Sequence, residues 1–384
     1  MAILIGALLL FLVLAAFPYT LYPLSLTLMA FDRREQDGSM TGGGWTRPKL
    51  AVCMSAFNEE RVIVAKIESL LAMARAYGPA EIFVYVDGAQ DRTAELLQPY
   101  ANRIHLTVST ARAGKTAGLN LLIAQTDAPL LAFTDANVET PVDALVRLAE
   151  SFKDPSICCV SARLRYVGED DSGIAGAGAI YWSLEETIKE LESRTIGLMG
   201  VDGALFMIDR AAYENAPNHL IDDLYVSLSA VTTGRRVISA TDVTVHERGA
   251  SRWKEEFRRK ARIACQAWNV HRTLWPRLRR LPPSQLYGYL AHRVLKWMTP
   301  FTALLAGLCA VAILAKLIGP AYTAAIAGAG LVVFAIGVAL NFGPFRFMAM
   351  AAISLAGVAR GILESVFTRR TYTVWTPAAS VREP

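Results

Sequence analysis

The sequence predicts an α/β domain with a mostly parallel sheet, joined at both ends to apolar helices that associate with a membrane. Two observations predict it. Strand-like apolar runs alternate with helix-like stretches between residues 49 and 162, a pattern typical of parallel strands covered by helices on both faces. The 384 residues are 53% hydrophobic and only 19% charged, and the apolar excess lies mainly outside that region. A chain of this length suits two parts rather than one.

The elements of the α/β part are assigned from the local pattern, in chain order. Apolar runs that end in polar clusters indicate the strands, and the stretches between these runs are helix-like. Strands are expected at residues 49–56, 81–87, 103–109, 129–135 and 157–162, and helices at 59–77, 93–102, 117–124 and 141–152.

Three stretches without any charged residue are long enough to cross a bilayer, which takes roughly 20 apolar residues. They are residues 1–31, 297–315 and 317–345. No basic flank precedes the first stretch, and Arg33 and Arg34 follow it. By the positive-inside rule we expect a transmembrane anchor that begins outside the cell, with the polar middle of the chain in the cytosol.

A fourth apolar stretch, Phe347–Phe367, is interrupted by Arg360 and Glu364. It is either a further span whose charges face other helices or a helix that lies in the interface. Arg369 and Arg370 favour a cytoplasmic C-terminal side. Three spans, with this stretch lying flat, are therefore preferred over four.

A basic segment precedes the second uncharged stretch. Residues 252–280 are rich in lysine and arginine, and residues 285–297 combine aromatic and basic side chains. Segments of this kind lie along anionic lipid headgroups. The same segment can also have a direct role in the function of the protein. We expect helices on the membrane surface here.

Polar side chains follow four of the predicted strands, at the point where each strand ends. Ligands of open parallel sheets bind beyond the carboxyl ends of the strands, so these side chains are expected around one site. Taken singly, each is equally typical of a turn or a helix cap. They are Phe57-Asn58-Glu59-Glu60, Asp87-Gly88-Ala89-Gln90-Asp91, Arg112-Ala113-Gly114-Lys115 and Asp135-Ala136-Asn137.

The carboxylates of this rim indicate a cation site. Crowded carboxylates repel one another unless a cation lies among them. Oxygen donors favour Mg²⁺ or Mn²⁺, which usually also bind the phosphate oxygens of a substrate. Lys115 adds a point charge for the same phosphates. Asp135 and Asn137 are therefore interpreted as a ledge that binds a metal ion and a nucleotide.

Two other phosphate-binding motifs fail on spacing. Gly114-Lys115-Thr116 ends like a P-loop, but the first glycine of that pattern would fall at position 109, which is Ser109. The glycines in the stretch SGIAGAGAIYW do not form G-x-G-x-x-G. The sequence thus excludes a P-loop ATPase and a dinucleotide-binding enzyme.

The order of motifs along the chain resembles that of the membrane-embedded family 2 glycosyltransferases, the inverting group that includes cellulose and hyaluronan synthases. Seven motifs follow one another at ordinary spacing, and they cover nearly the whole chain. They are SAFNEE (55–60), VDGAQDRT (86–93), GKTAGLN (114–120), TDAN (134–137), GVDGALFMIDR (200–210), IDDLYVSLS (221–229) and FRRKARI (257–263).

The resemblance implies a GT-A fold, a nucleoside-diphosphate-sugar donor, and Mg²⁺ or Mn²⁺ as cofactor. Matched by position, the residues that border the donor nucleotide would be Phe57, Asn58, Glu59, Asp87, Lys115 and Asp135. Asp135 matches the first carboxylate of the family's D-x-D motif, and Asn137 stands where the second carboxylate usually stands. An amide oxygen binds a metal ion without adding charge, which implies weaker metal binding. His246 and Glu247 are candidates for a further ligand.

The stretch IDDLYVSLS resembles the family's E-D-x-x-L-S segment, which matches Asp223 to the catalytic base. A carboxylate within hydrogen-bond reach of a sugar hydroxyl takes its proton as the new bond forms. The resemblance also implies that Asp202, Gly203 and Asp222 lie on the diphosphate and acceptor side. The alternative is that Asp222 and Asp223 simply begin a helix, where the dipole favours acidic residues.

FRRKARI aligns with the Q-x-x-R-W segment of the processive synthases. Arg259 takes the place of the glutamine, Arg262 matches the arginine, and Ile263 replaces the tryptophan that holds the acceptor sugar in processive enzymes. Both arginines are expected near the diphosphate. The replacement of the tryptophan puts the synthesis of long chains in doubt.

The sequence therefore predicts an inverting hexosyl- or N-acetylhexosaminyltransferase at the inner (cytoplasmic) membrane. It would use a UDP-sugar and a lipid, lipid-linked or polysaccharide acceptor, with membrane lipids and export or polysaccharide-assembly proteins as partners and no nucleic acid. A processive synthase that extrudes its polymer and a catalytically inactive sugar-nucleotide-binding subunit are the alternatives. The expected organisation is an anchor at 1–31, a linker at 32–45, a GT-A catalytic domain at 46–250, basic interfacial helices at 251–297, transmembrane or interfacial helices at 298–368 and a tail at 369–384.

Overall fold

The structure is a computed structural model that describes residues 1–33, 45–167, 175–248 and 253–374. Most of the predicted linker, including Arg34, and the predicted tail from residue 375 onward lie outside the described residues. The boundaries expected for the separate parts of the chain stay predictions.

Within the described residues, a seven-stranded sheet forms the centre of the α/β part. Its strands are β1 Leu50–Ala56, β2 Ala80–Asp87, β3 His105–Ser109, β4 Leu130–Thr134, β5 Ile157–Val167, β6 Leu205–Asp209 and β7 Arg236–Arg248. The spatial order is β3-β2-β1-β4-β6-β5-β7. The first four of these strands in space are parallel, β6 is antiparallel to both β4 and β5, and β7 is parallel to β5. The predicted fold class is confirmed.

Helices cover both faces of the sheet and continue beyond it. A π-helical turn, Tyr289–Val294, joins α10 to α11, and another, Glu364–Thr368, extends α13. The helices are α1 Ala2–Ala16, α2 Leu21–Arg33, α3 Ile63–Tyr77, α4 Thr93–Leu97, α5 Lys115–Ile123, α6 Ala144–Glu150, α7 Ala175–Arg194, α8 Asp222–Val231, α9 Trp253–Leu278, α10 Pro283–Gly288, α11 Leu295–Ile318, α12 Pro320–Ala339 and α13 Gly343–Leu363.

The central strands are apolar along their whole length because both faces of the sheet are covered. In β1, Val52 and Met54 are fully buried in the core on the α3 side, and Ala51 and Cys53 are fully buried in the core on the α5 side. Alternate side chains of a strand point to opposite faces, so both sets are apolar. Burying one such large side chain stabilises the fold by about 1.5–3 kcal/mol. This packing holds the carboxyl ends of β1, β2 and β4 at one edge.

Among the described residues, four helical segments are long and apolar enough to cross a membrane: Ala2–Tyr19, Pro283–Ile318, Pro320–Ala339 and Gly343–Thr368. This agrees with the expected membrane association. The stretch predicted as one anchor is divided in two, however, because a 3₁₀ turn at Phe17–Tyr19 separates α1 from α2. The α2 residues Tyr22 and Leu26 are fully buried in the same core as the sheet.

Two further segments, both predicted as interfacial helices, pack against other parts of the protein. Residues 285–297 lie within one continuous helical segment, in which Tyr289 and His292 are fully buried. The fourth apolar stretch packs closely on α9, because a Cβ atom on Gly361 would overlap the backbone carbonyl of Ala261. Small residues allow two helix backbones to approach in this way. The number of spans and the side on which the chain ends stay predictions.

Candidate active site

Lys115 lies at the centre of the candidate site, in the first position of α5. Its Nζ atom is 2.7 Å from Oδ1 of Asp135, just after β4, and 3.4 Å from Oδ2 of Asp222, at the start of α8. Burial alone would lower the pKa of Lys115, but the two carboxylates raise it above its ordinary value. The lysine is therefore a fixed positive charge that joins two elements from distant parts of the chain.

Asp223, the second residue of α8, lies next to this ion pair. A Cβ atom on Gly203 would be 3.0 Å from Oδ2 of Asp223 and 3.3 Å from Nζ of Lys115, so a glycine is needed where the two groups approach the chain. Oδ1 of Asp223 accepts a hydrogen bond of 2.6 Å from the N–H of Leu224. Burial, and next the charge of Asp222, raise the pKa of Asp223 to about 7. Such a carboxylate is suited to accept a proton near neutral pH.

Asp87, at the end of β2, is 2% exposed and fixes the loop that leads into α5. Its Oδ1 accepts hydrogen bonds from the N–H groups of Ala113 (2.7 Å) and Gly114 (3.1 Å). The guanidinium of Arg112 lies 3.5 Å from Oδ2 of Asp87 and 3.4 Å from the centre of the Phe57 ring. The predicted base-binding residues Phe57 and Asp87 are thus brought together, with Arg112 stacked on the ring.

Asn58 and Glu59 tie the loop after β1 to the loop after β2. Oδ1 of Asn58 accepts a hydrogen bond of 2.8 Å from the N–H of Gln90, and the N–H of Glu59 donates one of 2.7 Å to Oγ1 of Thr93. Asn58 has a positive φ of 52°, which asparagine adopts more readily than most residues. These contacts support the shape of the rim, and the predicted roles of Asn58 and Glu59 towards a nucleotide stay predictions.

Glu247 meets Asn137 on the metal side of the rim. The amide Nδ2 of Asn137 donates a hydrogen bond of 3.1 Å to Oε1 of Glu247, and the backbones of Glu139 and His246 pair beside it with bonds of 2.8 and 2.9 Å. Burial, and next the charge of Asp135, raise the pKa of Glu247. Of the two further ligands that the sequence suggests, Glu247 is the one whose side chain contacts Asn137.

The donor set of this rim fits a hard divalent cation. Within the described ranges, no three His, Cys, Asp or Glu side chains form a cluster suited to a metal ion, but here an amide stands among carboxylates. Amide and carboxylate oxygens are ligands that Mg²⁺ and Mn²⁺ prefer. In addition, Oδ2 of Asp222 is buried and forms no hydrogen bond among the described residues beyond its 3.4 Å ion pair with Lys115. A flip of the Asn137 amide would turn its Oδ1 atom towards Glu247 in place of Nδ2.

Two arginines of α9 add positive charge to the site. Arg259 donates a hydrogen bond of 3.2 Å to the Tyr166 hydroxyl and one of 3.0 Å to Glu256. Burial, and next the charge of Arg259, lower the pKa of Arg262 to about 10, whereas the carboxylates of Asp223 and Asp135 act in the opposite direction. Both predicted arginines therefore face the domain rather than lipid headgroups.

Asp202, which the resemblance places on the acceptor side, forms an ion pair with Lys189 of α7. The two side chains form a short ion pair, and Lys189 also donates a hydrogen bond of 2.7 Å to Glu186. Burial would raise the pKa of Asp202, but Lys189 lowers it below the ordinary value. Asp202 is thus a charged carboxylate next to Gly203, and the roles predicted for both residues stay predictions.

Lys66 of α3 is a site residue that the sequence analysis missed. Its Nζ donates hydrogen bonds to Oγ1 of Thr134 (3.0 Å) and to the carbonyl of Val138 (2.7 Å). It therefore clamps the turn that carries Asp135 and Asn137, and burial lowers its pKa to about 7. The available signal is its place on the buried face of α3, where a charged residue is unusual.

The comparison with protein families identifies what the first part of this arrangement is similar to. Residues 51–216 match the family model described as glycosyl transferase family 2. This part of the chain is therefore similar to family 2 glycosyltransferase domains. It contains the rim residues from Phe57 to Gly203, whereas α8 and α9 with Asp223 and Arg262 follow it in the chain.

The curated relatives of this chain are distant. A "Beta-monoglucosyldiacylglycerol synthase" of Synechocystis sp. is 28% identical over 152 residues, which are 38% of this chain and 32% of that protein. An "N-acetylglucosaminyltransferase" of Rhizobium leguminosarum bv. viciae is 22% identical over 218 residues, which are 52% of this chain and 51% of that protein. The matches thus span a third to a half of these relatives.

A solved structure resembles this protein over nearly its whole length. The mannosyltransferase PcManGT from Pyrobaculum calidifontis, solved in complex with GDP-Man and Mn²⁺, has a TM-score of 0.70 and 18% sequence identity. The alignment covers 95% of this chain and 100% of that chain. The fold of the domain and its apolar helices is therefore shared with that protein.

Proposed function

We propose that this protein is an inverting glycosyltransferase that transfers a sugar from a UDP-sugar to a lipid or lipid-linked acceptor at the cytoplasmic face of the membrane. The observation that carries the proposal is the Lys115 ammonium between the carboxylates of Asp135 and Asp222, with the Asp223 carboxylate beside it at Gly203. Transfer from a nucleotide sugar needs these two kinds of group side by side, a cationic clamp for the diphosphate and a proton acceptor for the hydroxyl.

The donor would lie across the edge formed by β1, β2 and β4. The base would stack at Phe57, next to Asp87 and Arg112, and the diphosphate would lie between Lys115 and Arg262. Lysine and arginine suit this position because both remain charged against phosphate oxygens.

Asp223 would act as the base for the acceptor. As the acceptor oxygen bonds to the anomeric carbon, its proton passes to the Asp223 carboxylate and the bond to the nucleoside diphosphate breaks. Attack from the face opposite the leaving group inverts the configuration at that carbon. The raised pKa of Asp223 supports this role, because a carboxylate with a pKa near the working pH is a better proton acceptor than an ordinary one.

Asp135, Asn137 and Glu247 would hold a divalent ion, Mg²⁺ or Mn²⁺. When bound, such an ion stabilises the charge on the leaving diphosphate by several kcal/mol. The Mn²⁺ of the PcManGT complex agrees with this cofactor class. The side chains on this rim orient the diphosphate for in-line departure.

The acceptor is proposed from the surroundings of the site. Four helical segments with the length and composition of spans adjoin the domain among the described residues, and the Synechocystis relative is named for a diacylglycerol product. The Rhizobium relative is named for N-acetylglucosamine, so hexose and N-acetylhexosamine donors are both candidates. With Ile263 in the place of the tryptophan of processive enzymes, we propose the addition of one sugar to each acceptor.

The proposal is tested with the full-length protein in lipid nanodiscs. UDP-glucose, UDP-N-acetylglucosamine, UDP-galactose and GDP-mannose are supplied in turn with Mn²⁺ and with diacylglycerol or a bacterial lipid extract. We expect release of nucleoside diphosphate from one donor, and a lipid product that is heavier by one sugar in mass spectrometry. Long products would instead identify a processive synthase, and a lack of turnover with every donor would support the inactive subunit.

The activity is expected to fall as the pH drops through about 7. Asp223 accepts a proton only when it is ionised, and its pKa is raised to about 7. Below that pH, log kcat/KM should fall by about one unit per pH unit, and above it the rate should level off. The profile is measured from pH 5.5 to 9 with a pH-matched thermal unfolding control. A rate that is constant down to pH 5.5 would contradict the assignment of Asp223.

Metal affinity is expected to respond to Asn137 and Glu247 in opposite directions. Asn137→Asp adds a third carboxylate to those of Asp135 and Glu247 and should tighten Mn²⁺ binding, whereas Glu247→Gln removes one and should weaken it, by roughly tenfold each. Free Mn²⁺ is measured by electron paramagnetic resonance without any donor. The matched control is Glu139→Gln, an exposed acid close to the site, which should leave the affinity unchanged. Equal affinities in all four proteins would place the ion elsewhere.

A further inference from the structure

The segment after the apolar helices returns to the candidate active site. This segment, residues 369–374, is called the strap below. It follows the π-helical turn Glu364–Thr368, and Arg369 turns the chain with a positive φ of 48°. The Tyr372 hydroxyl donates a hydrogen bond of 2.6 Å back to Oε2 of Glu364. The strap therefore has a defined path.

Side chains of α9 hold the strap by its backbone carbonyls. Nδ2 of Asn269 donates a hydrogen bond of 2.9 Å to the carbonyl of Arg370, and Nε2 of Gln266 donates one of 3.1 Å to the carbonyl of Tyr372. Both amide residues are almost completely buried, at 5% and 4% exposed. Buried amides without such partners would be costly, so these bonds fix the position of the strap on α9.

The strap reaches the loop that carries the donor-site residues. Gly114 has a φ of 95°, and a Cβ atom on it would overlap the carbonyl oxygen of Thr373. The N–H of Gly114 is one of the two that donate hydrogen bonds to Asp87, and Lys115 is the next residue. The strap therefore contacts the backbone segment that donates a hydrogen bond to Asp87 and carries Lys115.

Gln266 joins the strap to the charged side of the same site. While its Nε2 donates to Tyr372, its Oε1 accepts a hydrogen bond of 3.2 Å from Nη1 of Arg262. The charges of the Asp223 and Asp135 carboxylates in turn favour the protonated form of Arg262 and so act to raise its pKa. One buried side chain thus connects the strap to an arginine that faces the proposed diphosphate position.

We infer that residues 369–374 form a wall of the site for the nucleoside diphosphate, and that Gln266 is a positioning residue that sets the strap and Arg262 in register. The inference rests on the proposed function for the identity of this ligand. A segment that only covered apolar helices would be expected to make mainly apolar contacts. The strap is held by polar, buried bonds and ends against the loop of Lys115. Holding this loop in its binding conformation lowers the entropic cost of binding.

The test is UDP binding to the full-length protein in nanodiscs with Mn²⁺, measured by calorimetry. Gln266→Leu removes both bonds and should raise the Kd for UDP roughly tenfold, with a matching rise in KM and a smaller change in kcat. Gln266→Glu keeps an acceptor for Arg262 but loses the donor to Tyr372, so it should restore only part of the affinity. Gln285→Leu, on α10, is the matched control and should bind UDP like the wild type.

A second measurement follows the strap without relying on affinity. Thr373→Cys is labelled with a thiol reagent, and the parent protein is labelled in parallel to subtract Cys309, which is partly exposed while the other four cysteines are buried. We expect UDP to slow labelling several-fold when Gln266 is present. In the Gln266→Leu background, labelling should be faster and insensitive to UDP.

The outcomes separate the two proposals. If UDP binds to the wild type and to Gln266→Leu with one Kd, and labelling at residue 373 is the same in both, the strap inference is wrong and the proposed function stands. If the wild type binds neither UDP nor GDP, the proposed function fails, and the assignment of the strap to a diphosphate site fails with it. Circular dichroism spectra of each variant establish that the fold is kept.

Discussion

Asp223→Asn is expected to lower kcat by roughly 10³-fold, which is within the range for loss of a general base. The asparagine has nearly the same shape and keeps an oxygen that accepts the hydrogen bond from Leu224. It has no basic oxygen to take the proton of the acceptor hydroxyl. The variant also removes one negative charge near Asp222, so binding of the diphosphate should stay the same or become tighter. The measurements are nucleotide release under saturating donor and acceptor, and the Kd for UDP by calorimetry.

The control for this variant is Asp127→Asn, an exposed aspartate in the loop before β4. It makes the same chemical change away from the site and should leave kcat unchanged. A second check uses the pH profile, because the decline below about pH 7 should disappear from the residual activity of Asp223→Asn. Normal turnover in Asp223→Asn would remove the proposed mechanism.

Asp135→Asn is expected to lower kcat/KM by at least about 10²-fold, since it takes a charge from both the proposed metal site and the Lys115 ion pair. Mn²⁺ binding should weaken in the same variant, and added Mn²⁺ should restore part of the activity. With Asp135 neutral, Lys115 retains only its 3.4 Å contact with Asp222. Activity is therefore measured as a function of Mn²⁺ concentration at fixed donor.

Asp143→Asn is the matched control, because this aspartate lies on the outside of the fold with its side chain 59% exposed and pairs only loosely with Arg147, at 3.7 Å. It should show the wild-type Mn²⁺ response. If Asp135→Asn keeps both its Mn²⁺ affinity and its rate, the ion pair between Asp135 and Lys115 has only a structural role. The metal site would then lie elsewhere.

Of the seven described strands, β1 to β5 were predicted from the sequence, whereas β6 and β7 were not. The run predicted at 81–87 is Ala80–Asp87 in the structure, and the run predicted at 129–135 is Leu130–Thr134. Strands that are buried on both faces are continuously apolar, so their limits coincide with the change to polar residues. The first residues after such strands meet at one edge, which is why Asp87, Lys115 and Asp135 could be grouped before any coordinates were considered.

Hydropathy did not distinguish burial in a membrane from burial in the protein. Tyr22 and Leu26 belong to the apolar N-terminal stretch, and Tyr289 to a segment expected on headgroups, yet all three lie in the core of the α/β part. Lipid and protein interiors select the same side chains. A run of apolar residues therefore predicts that the segment is removed from water, but it does not distinguish a lipid bilayer from the protein interior.

The sequence by itself determined the alternation of strands and helices, the apolar ends of the chain and the order of polar motifs, because each depends on neighbouring residues. Only the tertiary structure decided which distant residues meet: Lys66 under Thr134, Glu247 against Asn137 and the strap against Gly114. These contacts join positions 68, 110 and 259 residues apart in the chain. They depend on the strand order of the sheet and on how α9 and α13 pack on each other, and neither is encoded in the local pattern of any one segment.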